Sequence, residues 1–243
     1  LLATGLGTVF AFGLSWWWSI RMLEPSQRGV FVQGSFRGNC GVVSLALVIS
    51  YFGDYGMAVG GVLAGFTILL FNTLSVFILA LYSPSFQFSP KAVAKELGSN
   101  PLILSVLAGL VASMVELVLP RWVQTSAEYF AQLTLPLALI CIGGTLSIAG
   151  LKHSGQTAVH STAIKLLVAP VVSCFVAWVL GMQGKELIVL WMYLASPTAA
   201  ASFAMALAAG GDGRLAANII ALTTVVSLFS ITAGIFVLRA MGH

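Results

Sequence analysis

An arginine and an asparagine separated by one glycine, Arg37-Gly38-Asn39, lie inside a long apolar run and lead directly into Cys40 and Gly41. A second polar interruption, Ser196-Pro197-Thr198, breaks another apolar run, with Ser202 one helical turn further on. These residue types suit the recognition of a small anion. Arginine brings a fixed charge and a planar fork of donors, asparagine both donates and accepts, and serine and threonine hydroxyls donate. Arg37, Asn39, Cys40, Pro197, Thr198 and Ser202 are therefore the candidate binding residues. Lys165, Asn72 and Asn218, also polar within apolar runs, form a second tier. For the two asparagines the expected use is hydrogen bonding between helices. Other uses stay open for the strongest candidates: Arg37 reaching lipid phosphate or neighbouring carbonyls, Asn39 serving the carbonyls of the break, and Lys165 extending its amine to the interface.

Other chemistries find little support. His153, His160 and His243 pair with no carboxylate or cysteine at ligand or triad spacing, so no metal site and no catalytic nucleophile is expected. Gly143-Gly144-Thr145-Leu146-Ser147 fails the Gly-x-Ser-x-Gly pattern, and no glycine-rich loop fits a P-loop, so neither an enzyme nor an ATP-driven pump nor a bound cofactor is expected. Cys40, Cys141 and Cys174 fall in three separate apolar runs and read as buried small side chains rather than a disulfide framework. Acidic residues are confined to loops and run ends, which gives little support to ion coupling through a buried carboxylate.

The elements that must position these residues are set by a composition of 59% hydrophobic and 7% charged residues, against roughly 25% charged in soluble domains. The apolar runs are about 20 residues long, enough to cross a hydrocarbon layer about 30 Å thick as helices. Eight spans are expected, near 1–20, 30–53, 57–82, 101–119, 129–149, 158–180, 187–209 and 215–238. The alternating pattern of a membrane β-barrel is absent from Ile219 to Leu238, so the class is all-α and polytopic. Residues 1–82 hold three spans, 83–100 a linker with Pro84 and Pro90, and 101–243 five spans. The net charge of +4 comes from basic residues scattered singly over short loops, which fits membrane orientation and not nucleic acid. Arg21, Arg28, Lys91, Lys95, Lys152 and Arg214 on one side against Arg121, Lys185 and Arg239 on the other place both ends of the chain on the outer side. Trp16, Trp17 and Trp18 read as an interfacial anchor. Leu1 opens inside an apolar run with no charged lead, which reads as a truncated start rather than a signal peptide.

Sliding the chain on itself by 158 positions lays Asn39 on Pro197, Ser44-Leu45-Ala46 on Ser202-Phe203-Ala204, and Gly53-Asp54 on Gly211-Asp212. The two interruptions and two short turns then superimpose together. The matched spans, 2 and 7, are an odd number of crossings apart and so run in opposite directions, as in the inverted repeats of secondary transporters. Spans 4 and 5 find no partners in the first half, so two helices of that half are expected to be missing. If both breaks lie near the midplane and cross, half-helix ends converge there, two of them N-termini with partial positive charge. Arg37 lies nine residues beyond Arg28, about 13 Å of helix, too deep for easy escape to the interface.

Four motifs in order, Gln33-Gly34-Ser35-Phe36-Arg37-Gly38-Asn39-Cys40-Gly41, Leu135-Pro136-Leu137 through Gly143, Lys165 through Pro170, and Pro197-Thr198-Ala199-Ala200-Ala201-Ser202, resemble the auxin efflux carrier family, which includes bacterial malonate and malate permeases. The resemblance implies a ten-helix fold of two inverted repeats, akin to bile-acid transporters and sodium/proton antiporters, with this chain covering the third to the tenth helix. It places the substrate site at the crossing of the two broken helices, here spans 2 and 7, and implies that members carry organic anions, often as dimers, in a bacterial inner membrane. The first break departs from many relatives in having Arg37-Gly38-Asn39 where they have a proline, so only Asn39 and Pro197 carry over directly, with Arg37 as an addition of bacterial type. The function so implied is a secondary carrier of small mono- or dicarboxylates working by alternating access. A channel-like or solute-sensing protein on the same fold is the alternative.

Overall fold

The computed structural model describes residues 1–83, 104, 108–109, 111–112, 114–145 and 148–242. Among these residues the chain is helical, with no strand beyond one isolated bridge. α1 runs Leu2–Met22 and α2 Pro25–Phe36, whose first turn begins at Pro25, where a missing N–H costs nothing. After an extended stretch at 37–39 the helix resumes as a π turn, Cys40–Ser44, and continues as α3, Leu45–Leu81. Further on come α4, Arg121–Thr145, and α5, Ile148–Ala163, which passes through a second π turn, Ile164–Val168, into α6, Ala169–Val179. Pro170 cannot donate to Leu166, and the hydrogen-bond ladder widens at that point. α7, Lys185–Leu194, is followed by the second irregular stretch, then α8, Ala201–Ala208, and α9, Gly213–Ala240.

Among the described residues, three segments are long and apolar enough to cross a membrane: Cys40–Leu81, Gly155–Val179 and Gly213–Ala240. The first of them is folded back on itself. Gly53 has φ 56° and ψ −130°, a region open to glycine, and beyond it Gly60 packs on Leu45 and Val48. The chain therefore makes a helical hairpin whose arms meet closely: a Cβ on Gly56 would lie 2.2 Å from the carbonyl oxygen of Val48. At the other end α8 turns into α9 through Gly210, at φ 72°, and Asp212, whose carboxylate accepts the N–H of Leu215 at 3.0 Å and a carboxamide N–H of Gln27 at 3.2 Å. The 158-position shift lays Gly53 on Gly211, yet the residue with left-handed φ is Gly210. The two turns thus differ in register by one residue.

The packing joins α1 to α2 and α6, α2 to α3, α5 and α9, and α9 to α5, α7 and α8. Outward faces remain apolar: Leu228, Phe229 and Phe236 on α9 are 68–74% exposed, a face made for hydrocarbon. The three consecutive tryptophans do not act alike. Trp17 is exposed with Arg21 stacked on it at 4.1 Å, as an interfacial anchor requires. Trp16 instead donates to the Tyr82 hydroxyl at 2.9 Å, and Trp18 stacks on Phe31 at 4.6 Å, so both are packing residues. The linker at 84–100 lies outside the described residues, as do the side chains of Cys141, Lys152 and His153.

Candidate functional site

Each interruption leaves backbone groups that a lipid-embedded helix must satisfy internally. The structure satisfies them by bringing the two interruptions together. Gly38 faces Thr198 in an antiparallel bridge; the Asn39 N–H donates to the Pro197 carbonyl at 2.8 Å, and the Ala199 N–H to the Arg37 carbonyl at 3.3 Å. The Asn39 carbonyl in turn accepts from the N–H groups of Val43 and Ser44 at 3.0 and 3.1 Å, opening the π turn. Pro197 has no N–H to leave orphaned, so its carbonyl alone enters the pairing. Thr198, 2% exposed, is fully engaged: its N–H donates to Thr223 Oγ1 at 3.1 Å and its hydroxyl to the Gly34 carbonyl at 2.8 Å. It ties break two to α2 and α9, a holding role in place of the free donor expected from the sequence.

Arg37 ends α2 and is 7% exposed. Its Nη1 donates to Ser75 Oγ at 3.2 Å and to Met205 Sδ at 3.1 Å, while Nε has no hydrogen-bond partner among the described residues. Gln33, one turn earlier, reaches the same sulfur with Nε2 at 3.5 Å, and its own oxygen has no partner among the described residues. Asn72 lies one turn before Ser75 and Ser202 one turn before Met205, so each shares a helix side with a neighbour of Arg37. The Asn72 carboxamide oxygen and the Ser202 hydroxyl are likewise buried and without partners among the described residues. Asn72 thus does not use that oxygen for the interhelical bond expected of it. Arg37 Nε, Gln33 Oε1, Asn72 Oδ1 and Ser202 Oγ, on or next to α2, α3 and α8, are thus four buried polar atoms without a hydrogen-bond partner among the described residues.

Asn39 is half-buried, and its carboxamide hydrogen-bonds to none of the described residues. Asn39 follows Gly38 between α2 and the π turn, with φ −83° and ψ 61°. A Cβ on Gly38 would point at Ser196 Oγ, 2.8 Å away, and at Lys165 Nζ, 3.2 Å away, so glycine is needed for close approach. Lys165, fully buried, thus brings its ammonium beside Gly38 at the crossing. It does not reach an interface, and its Nζ donates to the Leu194 carbonyl at 2.6 Å. Cys40, 4% exposed, opens the π turn, and Asn218 is buried on α9. All hydrogen-bond partners of both cations among the described residues are neutral. Sequence reading passed over Gln33, Ser75 and Met205. Gln33, polar in an apolar run and four residues before Arg37, carried a usable signal; a lone serine and a methionine did not.

Comparison with known proteins bears on this geometry. The family described as membrane transport protein matches residues 1–235. A Rhizobium meliloti protein named "Putative malonate transporter" is 28% identical over 149 residues, 61% of this chain and 47% of the relative. An uncharacterized transporter of Methanocaldococcus jannaschii is 23% identical over 221 residues, covering 86% of this chain and 68% of that protein. Another, from Methanothermobacter thermautotrophicus, is 27% identical over 107 residues, 44% of this chain and 35% of its own length. The chain spans about half the length of the Rhizobium relative.

Proposed function

Since the chain belongs to the membrane transport protein family, the auxin efflux carrier group its motifs resemble, we propose that it carries small organic anions, mono- or dicarboxylates of the malonate type, by alternating access around the crossing. It is an integral membrane protein, and its relatives are transporters, not enzymes. The observation that carries the substrate class is Arg37: a buried guanidinium with neutral partners and an unused Nε. A charge left uncompensated in a low-dielectric interior is costly, and an entering carboxylate offsets that cost. Asn39, two residues on, supplies a carboxamide with no hydrogen-bond partner among the described residues, and the Ser202 hydroxyl in the first turns of α8 adds a donor near a helix N-terminus. Lipid bilayer and substrate are the partners so implied; both chain ends outside, a bacterial inner membrane and a homodimer complete the proposal.

Uptake of labelled malonate or malate by the full-length protein in liposomes tests this. Loss of a hydrogen bond to a charged group, worth about 1.5–3 kcal/mol, lowers uptake efficiency by roughly 10- to 100-fold in Arg37→Gln, with a smaller loss in Asn39→Ala. Undiminished uptake in both variants contradicts the site.

A further inference from the structure

The second buried cation does different work from the first. Lys165 sits in the π turn Ile164–Val168, is fully buried, and places its ammonium 2.6 Å from the carbonyl of Leu194, the last residue of α7. The neighbouring carbonyl, that of Tyr193, is taken by two hydroxyls, Ser196 Oγ at 2.8 Å and Ser44 Oγ at 3.3 Å, and that of Trp191 by the N–H of Ala195 at 2.8 Å. The C-terminal end of this half-helix is thus capped by the chain's own donors. In transporters with broken helices, half-helix C-termini and unwound carbonyls are where a coupling sodium ion or proton is held, because the carbonyls carry partial negative charge. We infer that Lys165 is the resident cation of the crossing: its tethered ammonium occupies the place of a coupling ion at the α7 C-terminus, so the protein neither binds sodium there nor needs it to form the crossing.

The chemistry follows from position. A sodium ion approaching the Leu194 carbonyl meets a like charge already hydrogen-bonded to it, and repulsion at that separation in a protein interior is strong. Gly38 is part of the same arrangement, since a Cβ there would press on Ser196 Oγ at 2.8 Å and on the ammonium at 3.2 Å. An ammonium built into α5–α6 also ties that helix to the break in every state in which the bond persists. Removing the amine while keeping the carbonyls should recreate an open cation site. The inference goes beyond the anion assignment and concerns the other cation of the crossing.

The test is the melting temperature of the full-length protein in detergent, without any organic anion, in chloride salts of sodium, potassium, choline and propylammonium at equal ionic strength. The wild type melts at one temperature in all four. Lys165→Ala melts lower in choline and regains at least roughly 2–4 °C, saturably, in sodium or propylammonium, while Lys165→Arg behaves as wild type. A wild type stabilised by sodium over choline overturns the inference, as does a Lys165→Ala variant indifferent to the cation, or a Lys165→Met variant as stable in choline as wild type. Should the alanine variant not fold, the wild-type salt series and Lys165→Met still decide. Because no organic anion is present, failure here is separable from failure of the malonate assay.

Discussion

The hydroxyl of Thr198 reaches the carbonyl of Gly34, a residue 164 positions away in sequence, and this one bond joins the second break to the helix before the first. Holding and binding can be separated at this residue. Thr198→Val removes the donor from a buried carbonyl and costs about 1–3 kcal/mol of stability, read as a fall in melting temperature, while malonate KM in the folded protein stays unchanged. Thr198→Ser restores the melting temperature. A raised KM with normal melting would move Thr198 into contact with substrate. The candidate site was legible in the sequence where a residue was conspicuous against its surroundings: Arg37 and Asn39 are polar groups in an apolar run. It was not legible where role depends on a distant partner. Thr198 looks as free as Ser202 in the sequence, yet the first is bonded twice and the second leaves its hydroxyl unpartnered among the described residues. Lys165 looked equally able to reach an interface, and only its distance to Leu194 shows the amine turned inward.

At the scale of elements, the arms of the Gly53 hairpin approach so closely that backbone meets backbone. A methyl group at Gly56 has to displace the Val48 carbonyl, since the two would be 2.2 Å apart. Gly56→Ala should therefore destabilise the protein by roughly 1–3 kcal/mol or more, the range for overpacking a tight contact. Gly61→Ala, five residues along the same helix with nothing within 4 Å, is the matched control and should be neutral or stabilising by up to about 1 kcal/mol, as glycine is a poor helix former. Equal melting temperatures for the two variants would refute the close hairpin. Both helix breaks were visible in the sequence because Pro197 removes a donor and Gly38 and Gly41 flank polar residues. The π turn at Cys40–Ser44 was not, for its cause is the demand of the crossing on the following ladder: the Asn39 carbonyl accepts from both Val43 and Ser44. The one-residue offset between Gly53 and Gly210 was hidden for a related reason, since a run of Ala209-Gly210-Gly211 offers two glycines for one left-handed position.

The described residues form an apolar helical assembly in which two cations, Arg37 and Lys165, are buried at one crossing. Composition and run length announced the membrane class directly, because hydrocarbon solvent leaves little freedom in residue choice. The 158-position shift implies that the breaks pair, and the Gly38–Thr198 bridge joins them. The division of labour between the cations could not be read at all at that level: one amine is spent on a carbonyl, whereas one guanidinium keeps an unused donor. The central claim is that this guanidinium and the Asn39 carboxamide together receive the anion. A density map of the full-length protein with malonate bound tests it most directly. The account predicts density for a carboxylate within hydrogen-bonding distance of both the Arg37 guanidinium and the Asn39 carboxamide. Malonate density elsewhere, with Arg37 still held only by Ser75 and Met205, would contradict it.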